Sequence, residues 1–318
     1  MVAVSILIEG CFGLTWSDWK QVVTAVEQLG FAGLFLSDHV LLDRSAPQPS
    51  LELIVALTYL ADHTERIHFG PMVSPLSVRE PVTLARQAVA LDELSDGRMI
   101  FGVGAGWNAF EHEMFGYTLG DIPTRMARFE EGLEVITRLL RSDDPVTYDG
   151  RFFQLHDARI LPRSHGLGRP PILIGGSGPR RTLPLVARYA DIWNAQLVRP
   201  AALHERSVQL DQLLLGMGRQ PTDVKRTVAV PILVGRTEAE LERSFRGLRR
   251  FGPFADMSLN DLRSTFEHAI VGTPEQVIAQ IRAYAAVGVE EVMVNWFVPE
   301  DIDGLKHFAE QILPYVVD

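Results

Sequence analysis

Residues Ile67–Gly106 read IHFGPMVSPLSVREPVTLARQAVALDELSDGRMIFGVGAG, and the fold is decided by how this stretch is divided. Its first part, Ile67–Val73, reads as a strand. Pro81 then stands where a first-turn proline belongs, ahead of Leu84, Ala88, Leu91 and Leu94 at helical spacing. Met99–Val103 is a second apolar run, and it passes into Gly102, Gly104 and Gly106. Neither strand shows the polar alternation of a half-exposed sheet. Strand, helix and strand of this kind predict parallel strands buried on both faces and covered by helices.

The same rhythm extends outward. Upstream lie a strand at Ala3–Ile8 and a helix at Ser17–Leu29 closed by Gly30. A short strand follows at Gly33–Leu36, then a helix at Leu51–Ala61 that Ser50 can cap. Downstream, Arg125–Leu140 is helical. Val146–Pro171, with Pro162, Gly166, Gly168 and Pro170, reads as an insertion carrying a small hairpin. Strands are expected at Ile172–Ile174, Ile192–Trp193, Thr227–Val234 and Val292–Trp296, with helices from Pro179 and Pro200 and a last helix to about Tyr315. Thr237 with Glu240, and Thr273 with Gln276, match the capping-box spacing. Eight strands with intervening helices predict the α/β class and a closed (β/α)8 barrel with insertions; an open doubly wound sheet is the competing arrangement. The 318 residues would suit two average domains, but barrels often run longer as one unit. One domain over 1–318 is therefore expected, with its insertion at about 143–170.

Composition excludes several classes. Hydrophobic residues make up 47% and charged residues 22%, which is incompatible with a wholly disordered chain. No apolar run approaches about 18 residues, so no membrane span is expected. Val2–Ile8 lacks a basic flank and a small-residue cleavage site, and so reads as a strand, not a signal peptide. A net charge of −10 without a basic run argues against nucleic acid as partner. The single cysteine, Cys11, excludes an intramolecular disulfide and a multi-cysteine metal site, and it suits a cytoplasmic location. Only Lys20, Lys225 and Lys306 among the 30 basic residues are lysines, so anion recognition would fall to arginine and backbone amides.

A barrel places its chemistry at the C-terminal ends of its strands. Those ends carry Glu9; Asp38 and His39; Met72, Val73 and Ser74; Gly104, Gly106, Trp107 and Asn108 with Glu111 and Glu113 behind; Gly175–Gly178; Trp193 and Asn194; and Asn295 and Trp296. No strand end offers a lysine for a Schiff base, and His39 has no histidine partner for a metal, so no metal is expected. Glu9 and Glu111 could be cast as a glycosidase pair, but nothing in their spacing requires it. Gly175, Gly176, Ser177 and Gly178 follow a strand and open a helix, with Arg180 and Arg181 next. That is the pattern of a phosphate site, or else a tight turn with solvated arginines. Gly104, Gly106 and Ala109 fit G-x-G-x-x-A, yet they follow the fourth strand and lack a partner acid, so a dinucleotide fold is the poorer reading. His39 is either a structural histidine or an active-site one. Trp107, Trp193 and Trp296 at three strand ends suggest a flat aromatic ligand, against the ordinary alternative of packing.

Three segments together resemble the luciferase-like flavin-dependent oxidoreductases: LARQAVALDELSDGRMIFGVGAG (Leu84–Gly106) followed by Trp107, Asn108 and Glu111; PILIGGSGPRRTLPLVARYADIWN (Pro171–Asn194); and FLSDH (Phe35–His39). Asp38-His39 and the GGSG-x-R-R loop are most similar to the branch that uses the deazaflavin coenzyme F420. The resemblance implies hydride transfer between F420 and a small organic substrate, with His39 and Asp38 as the chemical residues. It implies a cofactor in the barrel mouth against Met72, Val73, Gly104, Gly106, Trp107, Asn108, Glu111, Trp193 and Asn194. It also implies a non-prolyl cis peptide at Met72-Val73, a cofactor phosphate on Gly175, Gly176, Ser177 and Gly178 helped by Arg180 or Arg181, and a homodimer. The alternatives within the family are an FMN-dependent monooxygenase using reduced FMN and O2, and a flavin-binding barrel without catalysis. Trp107 stands where some F420-dependent dehydrogenases carry a carboxylate, which argues against a sugar-phosphate substrate.

Overall fold

The computed structural model describes residues 2–41, 48–161, 169–251 and 254–317. Pro162, Gly166 and Gly168 of the expected insertion lie outside the described residues. In chain order the elements begin with β1 (Ala3–Ile8), α1 (Trp16–Gln28), β2 (Gly33–Leu36), α2 (Leu53–Asp62), β3 (His68–Pro71), β4 (Ser74–Pro75) and α3 (Pro81–Leu94). Then come β5 (Phe101–Gly104), α4 (Ala109–Phe115), α5 (Ile122–Arg141), the hairpin strands β6 (Val146–Asp149) and β7 (Gln154–Ala158), β8 (Ile172–Gly175) and α6 (Thr182–Tyr189). The last part holds β9 (Ile192–Gln196), α7 (Pro200–Gly216), β10 (Lys225–Val234), α8 (Glu238–Leu248), α9 (Leu259–Thr265), β11 (Ile270–Gly272), α10 (Pro274–Ala285), β12 (Glu291–Asn295), α11 (Ile302–Gln311) and α12 (Leu313–Val316).

Neighbours run β3-β2-β1-β12-β10-β9-β8-β5-β4, all parallel, with β11 added beside β10. The two ends of this path are consecutive in the chain. β3 and β4 are halves of one barrel strand, broken at Met72-Val73, where the peptide is cis as the resemblance implied. Phe69 bridges Met99 beside β5, and Ile100 N–H donates to the Phe69 carbonyl at 2.7 Å, which closes the ring. The eight-stranded barrel is the architecture the apolar runs predict, and the small antiparallel hairpin hangs outside it.

Strand alternation sorts the side chains. Outward residues such as Val4, Ile6 and Trp193 join the helix-facing apolar layer. Inward residues stack in layers along the axis: β1 presents Ser5 and Leu7 and then Glu9, while β12 presents Glu291, Met293 and Asn295. The middle layer is apolar, with Leu7, Phe35, Met72, Ile100, Leu173, Ile192, Ala229 and Met293 in contact. The lower layer is a polar plug. Glu291 is fully buried, its carboxylate taking His68 Nε2–H at 2.8 Å, Lys225 Nζ at 2.7 Å and the Ser5 hydroxyl.

Several local expectations change. Ser50 does not cap the second helix; Glu52 does, its carboxylate accepting Val55 N–H at 2.9 Å. Gln276 accepts Thr273 N–H at 2.9 Å as a capping box requires. Thr237 accepts Glu240 N–H at 3.2 Å, but the Glu240 carboxylate turns to Arg236 N–H instead. The helix after the glycine loop starts at Thr182, not Pro179, so Arg180 and Arg181 precede its first turn. α4, α9 and β11 are additions: α4 is one short segment, capped by Asn108 at its start and by left-handed Gly116 at its end.

Candidate active site

A hollow of about 410 Å³ opens at the C-terminal ends of the barrel strands. One unexpected element, the short helix α4, builds its chemistry. α4 starts directly after the glycine turn because Asn108 caps it, accepting Glu111 N–H at 3.3 Å and donating to the Leu41 carbonyl at 3.0 Å. This start aims Glu111 back at the end of β2. There His39 donates Nδ1–H to Glu111 Oε2 at 3.0 Å, while Oε1 accepts Val40 N–H at 2.6 Å. Glu111 is buried, and His39 lines the hollow with its ring edge-on to Trp107 at 5.5 Å between centroids. Burial opposes the charged imidazole, but the hydrogen bond to Glu111 and the charges of Glu9, Glu111 and Asp38 outweigh it. The His39 pKa is therefore raised above the ordinary 6.5. Burial likewise opposes the Glu111 carboxylate, and the contacts with His39 and two backbone amides bring its pKa below the usual value.

Asp38, expected beside His39 in the chemistry, is turned away. Both of its oxygens are held by Arg79, at 2.6 and 2.8 Å, and the same guanidinium reaches Glu52 at 2.8 Å. Met72, Val73, Gly106, Trp107, Asn108 and Glu111 line the hollow. Gly104 does not reach it. It lies against Val73, where a Cβ would approach Cγ2 to 2.7 Å, and a Cβ on Gly175 would approach Cγ1 of the same side chain to 3.1 Å. These two glycines make room for the broken strand. The Gly175–Gly178 loop stands behind Gln196, a wall residue whose N–H donates to Ser177 Oγ at 3.2 Å; Gly176 N–H donates to the Asn194 carbonyl at 3.0 Å. Arg180 is exposed.

Of the three tryptophans, only Trp107 faces the hollow, and it is 63% exposed. Trp193 points outward into the helix-facing layer and donates its indole N–H to the Gly176 carbonyl at 2.8 Å. Trp296 packs against Phe308. Asn194 points inward beneath the hollow, giving its amide to Thr227 Oγ1 at 2.9 Å. Two wall residues absent from the expected set are Glu9 and Asn295, linked by Asn295 Nδ2 donating to Glu9 Oε1 at 2.9 Å. Both stood at strand ends in the sequence, which was their signal. His112, on α4, also lines the wall and takes the Ser77 hydroxyl on Nε2 at 2.8 Å. Among the described residues, no group of three histidines, cysteines or carboxylates could hold a metal ion, and no helix is long and apolar enough to cross a membrane.

Comparison with known proteins matches this architecture. Residues 9–291 match the family described as luciferase-like monooxygenase. The chain is 33% identical over 178 residues to a 4-hydroxyprotoasukamycin monooxygenase of Streptomyces nodosus subsp. asukaensis, an alignment covering 54% of this chain and 46% of that protein. It is 26% identical over 309 residues to an F420-dependent glucose-6-phosphate dehydrogenase of Microbacterium testaceum, covering 91% and 90%. Among solved structures, an F420-dependent secondary alcohol dehydrogenase in complex with an F420-acetone adduct superposes with a TM-score of 0.83 at 19% identity, covering 100% of this chain and 99% of that one. The EDTA monooxygenase of Chelativorans sp. BNC1 gives 0.81 at 18% identity, covering 99% and 93%. The match over residues 9–291, nearly the whole barrel, makes this chain an enzyme of the luciferase-like monooxygenase family.

Proposed function

We propose that the enzyme transfers hydride between coenzyme F420 and a small organic substrate, with His39 holding or moving the proton that accompanies the hydride. The observation that carries this reading is the His39–Glu111 pair: a protonatable imidazole, braced by a buried carboxylate, faces the hollow. Converting an alcohol to a carbonyl, or the reverse, requires such a proton partner. When bound, F420 supplies the ring carbon that accepts or gives the hydride.

The hollow suits a flat ring. Its volume of about 410 Å³ lies within the usual range for small-molecule sites. In this reading Met72, Val73, Gly106 and Trp107 border the ring, while Gly175–Gly178 and Arg180 receive the charged tail. Glu111 fixes the His39 ring through Nδ1 and leaves Nε2 for the substrate. Asp38 acts through position and charge: with Arg79 it anchors the segment that carries His39. A sugar phosphate is a poor fit because Trp107 stands where the resemblance would place a carboxylate in some F420-dependent dehydrogenases and the chain has few lysines.

The 33% identity to a monooxygenase favours a second reading, an FMN-dependent monooxygenase using O2. Titration of the purified chain with oxidised F420 and with FMN, read by fluorescence quenching, separates the two. F420 is expected to bind at least ~10-fold tighter, a difference of about 1.4 kcal/mol; tighter FMN binding overturns the F420 reading.

Gly104→Ala probes the wall. The new Cβ would meet Val73 Cγ2 at 2.7 Å and drive that side chain toward the hollow. Overpacking of this kind costs about 1–3 kcal/mol. F420 affinity measured by the same titration should fall ~10-fold or more, and an unchanged affinity would place the ring away from Val73.

A further inference from the structure

We propose that Glu9 and Asn295 form a substrate-reading pair, selecting molecules that carry a second hydrogen-bond donor, a hydroxyl or an amine, beside the reacting carbon. The inference rests on the hydride-transfer reading for the word substrate, but the selectivity itself is read from the wall. β1 and β12 are neighbours in parallel register, Leu7 opposite Asn295, so Glu9 and Asn295 emerge side by side at the mouth. Asn295 Nδ2 donates to Glu9 Oε1 at 2.9 Å. That contact fixes the amide, because the flipped form would set its oxygen against a carboxylate oxygen.

Glu9 Oε2 and Asn295 Oδ1 are then left buried in the wall with no hydrogen-bond partner. Both are acceptors. Buried acceptors without donors are costly and rare in native structures, so an occupant of the hollow is expected to satisfy them. Neither a carbonyl nor an ether oxygen can do so. Leu7, Ala229 and Pro231 in the adjoining wall are apolar, and the donors that line the hollow elsewhere, Ser37 and Gln196, make no hydrogen bond to either atom. At the mouth, Trp107 and Leu197 are exposed apolar side chains that suit the hydrocarbon body of the same molecule. The matching substrate class is a diol or amino alcohol on an apolar frame, with one hydroxyl at His39 and the second donor at the pair.

Calorimetric titration with cyclohexanol, cis-1,2-cyclohexanediol and 2-aminocyclohexanol tests this, on the chain both as purified and saturated with F420. The F420 dissociation constant is measured in parallel by fluorescence. The diol and the amino alcohol are expected to bind at least ~10-fold tighter than cyclohexanol. Glu9→Gln puts a donor where Oε2 stood. In that variant the preference should vanish and 2-hydroxycyclohexanone, which carries an acceptor instead, should overtake the diol. Asn295→Leu should halve the preference or worse, and circular dichroism confirms that both variants are folded. F420 affinity should change less than ~2-fold in each. Equal binding of cyclohexanol and the diol by the unaltered chain overturns the proposal. So does a ~10-fold loss of F420 affinity in the variants with the diol preference intact, because the acceptors would then belong to the cofactor. A chain that prefers the diol but binds neither F420 nor FMN retains the donor-reading pair and removes the hydride-transfer reading instead.

Discussion

His39→Ala is expected to lower kcat by ~10²–10⁴, the usual contribution of a positioned acid or base, with a much smaller effect on F420 affinity. The substitution removes the one imidazole that lines the hollow in contact with Glu111, while Glu111 keeps its bonds from Val40 and Leu41 N–H. The pH profile carries the sign. In alcohol oxidation the neutral ring takes the proton, so the rate should rise as pH climbs through the His39 pKa, which lies above 6.5. In carbonyl reduction the protonated ring is required, and the rate should fall over the same range. Glu111→Gln removes a charge that favours the protonated ring, so both inflections should move to lower pH. Steady-state kinetics of the three proteins in each direction decide the matter. A turnover independent of His39 at every pH removes it from the reaction.

The second large effect lies at the opposite pole of the barrel. Glu291→Ala should destabilise the fold by ~3–5 kcal/mol, the range for breaking a buried ion pair from one side. His68, Lys225 and Ser5 would lose a shared, fully buried partner in the layer that joins β1, β3, β10 and β12, in which His68 and Lys225 are themselves partly exposed. Burial pushes the Glu291 carboxyl upward, but the contacts with His68 and Lys225 prevail and hold it at about 2, below the ordinary 4.5. A depressed carboxylate contributes stability above its unfolded pKa. That contribution should therefore be full above about pH 4.5 and disappear as pH falls toward 2. Urea denaturation of both proteins across this window provides the check: the gap between them should narrow on acidification. Equal midpoints at neutral pH would show the plug to be dispensable.

The barrel itself is legible from the chain because each strand is buried on both faces and so appears as a short apolar run between turn residues. Alternation along those runs carries more than fold class. Trp193 and Asn194 are consecutive in β9, so only one of them can face inward, and it is the asparagine. The same reasoning separates Asn295 from Trp296. Pairings between distant segments leave no such trace. Arg79 captures Asp38 across 41 residues, and nothing in the local pattern around Asp38 announces it. α4 is hard to read because seven residues give too few turns to establish a period, yet it supplies Glu111. The glycines at the end of β5 resemble a ligand cradle in sequence; Gly104 instead accommodates Val73, a contact set by the course of a different strand.

The layered interior has an engineering consequence. Each pole of the axis holds a histidine bound to a carboxylate, His39 with Glu111 and His68 with Glu291, and a greasy septum of Leu7, Phe35 and Met293 lies between them. From Ser5 to Glu9 the chain climbs about 13 Å, far enough for the two couples to behave as separate instruments. Retuning the working pH at the rim should leave acid tolerance untouched, reinforcing the base should leave turnover untouched, and a double variant should show the plain sum of the two changes.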